Sequence, residues 1–503
     1  MKRRELMRAA AALGLMGSAR AQPLAFSAED LKHAERLRDL GLADSEAWKL
    51  VQQLCNEVGA RAAGSPGDAK AVAWAQAAHK RLGLHNVRAE AMDLKVWQRG
   101  AASARLVSPV AEPLVMAALG NSVAAPAGGI EAEVAWYADF AALKADTSDR
   151  ARGKIVFIDQ KTERFRDGAG YGAAVPARSG GAVEAAKRGA VAVALRSIGT
   201  DSDRIAHTGA MRYELGVPRI PSFAVSVPDA QRMAALQATG APLRLHFTLD
   251  ARSDVEVTSH NVIAEVPGTD LADEIVLIGA HLDSWDLGVG AVDDGAGVAI
   301  VSAAAALLQR AGQRPRRTVR VVLFANEENG FDGARAYGDR YKDVKHQLVG
   351  ESDFGAGRVW QLKSRVQPAA LPLWGAVAQL LAPLGVAWPE AGRNEGSPGP
   401  DAGFLMRRHR WPALQMTQDG THYFDVHHTV NDTLERITPA DLSQNVACWA
   451  VTAWLAAQSP LTFCAAAGRA DGVVAPPAAP APWPPNSAAR TSRRAPPPGC
   501  APT

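Results

Sequence analysis

The chain has 503 residues, 47% of them hydrophobic and 21% charged, which excludes wholesale disorder and leaves length for two or three cores. The net charge of +3 sits at the ends: residues 1–21 hold +4 and residues 466–503 hold +3. The body between them is slightly acidic and has no electrostatic footprint for nucleic acid, and no apolar run approaches the ~20 residues of a membrane-spanning helix.

In chain order, Lys2, Arg3 and Arg4 precede an Ala/Leu/Gly-rich stretch, and Ala19-Arg20-Ala21 offers a small-x-small exit before Gln22. Residues 1–21 are therefore expected to be a signal peptide, and the mature protein to be periplasmic or secreted. The run Arg3-Arg4-Glu5-Leu6-Met7 also resembles a twin-arginine signal, so two export routes stay open. Residues 27–102 open helical, with Ala71, Trp74, Ala75, Ala78 and Leu82 at helical spacing, and then turn extended through Val87 and Val96. Residues 103–255 hold short β-like runs such as Lys154-Ile155-Val156-Phe157-Ile158 and Val191-Ala192-Val193-Ala194-Leu195, punctuated by Gly and Pro. Over 256–467 strands and helices alternate as in a parallel α/β sheet. Strands are expected at 275–279 and 319–324, and helices at 296–310 and 440–456, the last started by Thr438-Pro439. Residues 468–503 are a Pro/Ala-rich tail, expected to be disordered and without a chemical role.

Cys55, Cys448, Cys464 and Cys500 lack the spacing of a thiolate metal site. An oxidising compartment permits a Cys448–Cys464 bridge, but the count alone does not pair them, and unpaired thiols are the default.

Acids and histidines concentrate where apolar runs end. Ile275-Val276-Leu277-Ile278 leads to His281-Leu282-Asp283, Val321-Val322-Leu323-Phe324 leads to Glu327-Glu328, and Leu348-Val349 leads to Glu351-Ser352-Asp353. Ligands of open α/β sheets bind beyond the carboxyl ends of the strands, so these clusters should meet in one crevice. Gly290-Ala291-Val292-Asp293-Asp294-Gly295 lies between the first two, and His427-His428-Thr429-Val430-Asn431-Asp432-Thr433 follows later. Singly, each piece reads as a turn, a helix start or a polar surface. Together they form a nitrogen and oxygen donor set suited to hydrolytic zinc.

This ordered set resembles the co-catalytic zinc exopeptidases, the family of aminopeptidase Y and glutamate carboxypeptidase. The wording around His281-Leu282-Asp283-Ser284-Trp285-Asp286, with Gly181-Ala182-Val183-Glu184-Ala185-Ala186-Lys187, His207-Thr208-Gly209 and Gly216-Val217-Pro218, is nearest its plasma glutamate carboxypeptidase branch. The resemblance covers most of residues 45–457. It implies a mostly parallel central sheet flanked by helices, with an inserted, β-rich protease-associated domain over 103–255 that borders the active site. It also implies two Zn2+ per chain, held by His281, Asp293, Glu328, Asp353 and His428, with Asp293 bridging. Asp283 would orient His281 and Glu327 would be the general base. His427 competes with His428, but the family places its ligand directly before the Thr. Tyr423, five residues before His428, is a candidate oxyanion donor, and a packed aromatic is an equal reading. The segment from Asn394-Glu395-Gly396 to Asp401-Ala402-Gly403 resembles a substrate-side loop but is longer and carries two prolines.

The expected activity is exopeptidase hydrolysis of dipeptides or of peptide N-terminal residues. The partners are then peptide substrates, with no nucleic acid and no membrane span, and a homodimer stays open. The alternatives are a single-zinc glutaminyl cyclase and a non-catalytic binding protein on the same fold.

Overall fold

The computed structural model describes residues 26–464. The expected signal peptide and the Pro/Ala-rich tail, Cys500 included, lie outside the described residues. The thirteen strands of the described residues form one hydrogen-bonded sheet, eleven along a single path and β1 and β2 beside it. They are β1 (His85–Ser108), β2 (Glu112–Leu114), β3 (Met116–Ala118), β4 (Ile130–Tyr137), β5 (Ile155–Ile158), β6 (Ala192–Arg196), β7 (Ser222–Val225), β8 (Arg244–Val266), β9 (Leu271–His281), β10 (Arg317–Phe324), β11 (His346–Glu351), β12 (Val359–Arg365) and β13 (Ala413–Gln418).

The order β12-β13-β11-β9-β10-β8 forms the first half of the sheet. β9, β10, β11 and β13 run parallel, and β8 and β12 are antiparallel to their neighbours. The unbroken apolar runs in β9 and β10 are buried throughout, because helices cover both faces of a parallel sheet. The helix Ala296–Arg310 is buried at every position from Ala296 to Leu308. It is apolar all round because it lies between the sheet and the helices Glu46–Gln53 and Pro439–Gln458. The helical spacing read from Ala71 to Leu82 belongs to the helix Pro66–Arg81, with proline at its first position and the Ser65 hydroxyl accepting from Asp68 N at 3.1 Å.

The second half of the sheet, β4-β5-β6-β7 in parallel with β3 antiparallel at its edge, belongs to the 103–255 block. The helices Phe140–Ala145, Ala169–Lys187 and Val227–Gln237 alternate with these strands, and two apolar clusters separate from the main core pack around them. β8 joins the halves. Its residues Arg244–Phe247 pair with β4, and Val262–Val266 pair with β10. β1 runs antiparallel along its length, from His85 opposite Glu265 to Ser108 opposite Arg244.

Cys448 is a buried free thiol, so the Cys448–Cys464 bridge that the compartment would permit does not form. Cys448 instead fills core space on the inward face of Pro439–Gln458, and burial pushes its thiol above the ordinary range. Cys55 is likewise free and buried.

Candidate active site

All the expected clusters converge at the carboxyl end of the parallel strands. His281 is the last residue of β9, Glu327 and Glu328 follow β10, and Asp353 follows β11. The loop after β9 brings in the acidic pair. Gly290 adopts φ +61°, and a Cβ there would stand 2.4 Å from Ser284 Cβ, so only glycine admits this path. The two aspartates then part. Asp294 turns away, its carboxylate accepting from His281 N and Gly297 N, both at 3.1 Å. Asp293 turns in.

Asp293 stands between two groups of donors. On one side His281 Nε2 lies 3.3 Å from Asp293 Oδ1 and 3.7 Å from Asp353 Oδ1. On the other, His428 Nε2 lies 3.2 Å from Asp293 Oδ2 and 3.1 Å from Glu328 Oε2. His427 Nε2 also comes within 3.4 Å of Asp293 Oδ2. Of the two adjacent histidines, His428 is the one that lies between Asp293 and Glu328. Asp293 Oδ2 and Glu328 Oε1 are buried without a hydrogen-bond partner, which is how oxygens stand when they share an ion rather than a proton. Nitrogen and carboxylate donors grouped about a shared aspartate fit zinc.

The electrostatics fit a cation as well. Burial raises the Glu327 carboxyl well above the usual range, reinforced by Asp353, Glu328 and Asp401 and opposed by His281. Burial and Asp353 push Glu351 up to about 8. The His281 ring is held well above its ordinary value: burial opposes this, but Asp353, Asp283 and Asp293 outweigh it. His428 rises to about 10 in the same way, through Glu328 and Asp293. His427 is driven down by burial and by its charged neighbour. The surplus of buried negative charge is what divalent ions would neutralise.

Asp283 touches His281 and also holds the segment after β10. The His281 Nδ1 contact at 3.0 Å is to the main-chain oxygen of Asp283, and its carboxylate stands at 3.7 Å. That carboxylate accepts from Glu327 N at 3.1 Å and Glu328 N at 3.4 Å, fixing the neighbouring glutamates on one peptide segment. Asp432 does the same for the acidic pair, accepting from Val292 N at 2.6 Å and Asp293 N at 3.2 Å. Tyr423 is buried with its ring edge-on to His427 at 4.8 Å, and burial beside Asp293 and Asp353 keeps its hydroxyl protonated. The segment 394–403 is pinned by Asn394 to Val366 and then enters the helix Pro400–His409. This buries Asp401 near the carboxylates, with neither side-chain oxygen hydrogen-bonded.

Several residues had no sequence signal of their own. Arg61, fully buried, donates to the main-chain oxygens of Leu282, Val289 and Gly290 at 2.6–2.8 Å and so clamps the loop that delivers Asp293. Arg178, on the helix Ala169–Lys187 of the 103–255 block, donates to Tyr171 OH at 2.5 Å, and its Nε is buried without a partner. Tyr171 in turn stacks on Phe424 at 4.2 Å and meets His427 edge-on at 4.9 Å. Arg178 stands out in the sequence only as one cation in an Ala/Gly-rich stretch. The same block also ties down the segment before the histidines. Arg164 pairs with both oxygens of Asp425, at 2.6 and 2.9 Å, and Thr200 N donates to Phe424 O at 3.0 Å.

A buried nitrogen and oxygen donor set at the strand ends of a parallel sheet, with a further carboxylate beside it, defines a metallopeptidase. Residues 261–453 match the model of peptidase family M28. Carboxypeptidase Q of Mus musculus is 35% identical over 419 residues, spanning 83% of this chain and 87% of the mouse protein. The crystal structure of a peptidase M28 precursor from Shewanella amazonensis SB2B is 47% identical, with a TM-score of 0.84 over 86% of this chain and 98% of that one. A zinc aminopeptidase from Bacillus subtilis, 17% identical, shares the fold with a TM-score of 0.58 over 81% of this chain and 93% of its own. The chain belongs to peptidase family M28.

Proposed function

We propose that this protein is an exported dinuclear zinc exopeptidase that hydrolyses dipeptides, with the N-terminal residues of longer peptides as its second substrate class. The observation that carries the reading is the position of Asp293, shared between His281 with Asp353 and His428 with Glu328. Those five residues would hold two zinc ions. When bound, paired zinc lowers the pKa of a water and polarises the scissile carbonyl. Glu327, not needed as a ligand, takes a proton from the water and returns it to the leaving amine. Tyr423 offers its hydroxyl as a hydrogen-bond donor to the oxyanion and keeps its proton.

The preference for dipeptides rests on Arg178. A dipeptide carries its carboxylate one residue beyond the scissile bond, and a cation near the histidines suits that end. Arg178 has its guanidinium over the Tyr171 ring at 5.7 Å and an unused buried Nε. A charge-assisted hydrogen bond of about 1.5–3 kcal/mol corresponds to about 10–100-fold in kcat/KM. Arg178→Met should therefore lower kcat/KM for dipeptides by that factor and leave dipeptide amides nearly unchanged. Equal losses on both would remove the dipeptidase assignment. Metal analysis should give two zinc ions per active chain, and one or none would overturn the dinuclear reading. The 103–255 block serves as the border of the site, and the mature protein should begin near Gln22 in a periplasmic or secreted fraction.

A further inference from the structure

His428 adopts φ +61°, a left-handed conformation that a residue with a side chain keeps only where its surroundings hold it. What holds it comes from the 103–255 block. Thr208 N donates to His428 O at 3.0 Å, and Thr208 O faces His428 Nδ1 at 3.4 Å. One residue earlier, His207 Nδ1 lies 2.9 Å from His427 O, while His207 Nε2 lies 2.5 Å from Asp201 Oδ2. The two ring nitrogens thus face a main-chain carbonyl and a carboxylate. His207 is 2% exposed and Thr208 fully buried, and Ser197 Oγ accepts from His207 N at 2.9 Å. Nothing in the proposed chemistry uses His207 or Asp201. They sit behind the ligand loop, not in front of it.

We infer that the Asp201–His207 pair and the Thr208 main chain are positioning elements that fix the 427–428 segment and set how tightly the ion at His428 and Glu328 is held. The inference rests on the reading of His428 as a ligand. Its physical content is twofold. The two consecutive carbonyls of His427 and His428 are both anchored to the block, so the peptide between them cannot turn to exchange the two rings. The Thr208 oxygen facing His428 Nδ1 draws the ring proton to that nitrogen and leaves the Nε2 lone pair toward Asp293 and Glu328.

The test uses the zinc-loaded full chain and reads zinc retention against a competing chelator, with metal analysis per chain. His207→Asn places its amide nitrogen where Nδ1 stood and keeps the bond to His427 O. His207→Gln moves the amide toward Asp201 and loses it. His207→Gln and His207→Ala should release one of two ions about 10–100-fold more readily, as expected when an outer partner of a ligand is lost, whereas His207→Asn, which gives up only the Asp201 contact, should fall between these and wild type. Asp201→Asn, which keeps the shape, should shift zinc release in the same direction as His207→Gln. Unchanged zinc affinity in His207→Gln and Asp201→Asn overturns the inference, and so does a loss in His207→Asn as large as in His207→Ala. His428→Ala retaining both ions would strike at the ligand reading itself, and this inference would fall with it.

Discussion

Glu327→Gln should lower turnover by about 10²–10⁴-fold while the zinc content stays that of wild type. The substitution keeps size and hydrogen-bonding capacity and removes only the base. The segment is held by the bond from Glu327 N to Asp283 Oδ1 at 3.1 Å, which the change does not touch. In the metal-free site, burial and the neighbouring Asp353 and Glu328 raise the Glu327 carboxyl well above its usual range. Glu328→Gln should act differently. Its Oε2 lies 3.1 Å from His428 Nε2, and a neutral amide oxygen is a poorer zinc ligand, so metal should be lost before turnover can be assessed. Near-normal turnover in Glu327→Gln would end the mechanism, and zinc loss in that variant would exchange the roles of the two neighbours.

Removing the metal should abolish activity and leave a protein whose thermal midpoint falls as pH rises from about 7 to 9. Glu351, raised by burial and Asp353 to about 8, and His428, raised against burial by Glu328 to about 10, both keep protons in the folded state that the unfolded chain has given up. His281 and Glu327 shift in the same direction. The folded state thus binds more protons across this window, and stability declines with pH at up to about 1.4 kcal/mol per pH unit for each such group. Buried neutral histidines such as His79, lowered by burial to about 4, give up their opposite contribution below pH 7 and do not enter. The zinc-loaded protein should melt higher, since a ligand at about 1,000 times its Kd contributes about 4 kcal/mol. Melting curves with and without chelator at pH 7, 8 and 9 provide the check. A flat or rising midpoint in the stripped protein would mean that the carboxylate cluster does not carry the excess protons.

The parallel half of the fold was legible because its strands are short apolar runs that end in acids and histidines. The helix Ala296–Arg310 matches its expected span, and the helix Pro439–Gln458 begins at the proline that marks it. Of the ligand candidates, His281, Glu328 and Asp353 fall at strand ends, whereas the assignment of all five, Asp293 and His428 included, came from the family resemblance. The middle block was harder to read. The helix Ala169–Lys187 is built from Ala and Gly around an internal Pro176, a composition with little helical periodicity to detect. The supporting residues were hardest. Arg61 acts on carbonyls 221–229 positions away, and His207 acts on a carbonyl 220 positions away, so only tertiary folding brings them to the site. The Asp283 carboxylate could be placed near His281 by spacing, but spacing says nothing about whether it faces a ring or two peptide N–H groups.

The shared strands have a mechanical consequence. β1 and β8, 24 and 23 residues long, run without a connecting linker from the sheet that bears His281 to the sheet whose loops bear His207. The block over the site therefore cannot swing on a free joint, because any opening must flex this two-stranded beam. The beam has its weak points midway, where the register between β1 and β8 slips at Val96/Gln98 and again at Arg99/Ala102, and slips of this kind bend and twist a ladder locally. Arg99 sits at that joint and reaches across it, donating to Asp286 Oδ2 at 2.7 Å beyond β9 and to Thr208 Oγ1 at 3.0 Å behind His428. Flexure there would pull on Thr208, whose main chain meets His428, so bending of the beam and the placement of the 427–428 segment are mechanically coupled.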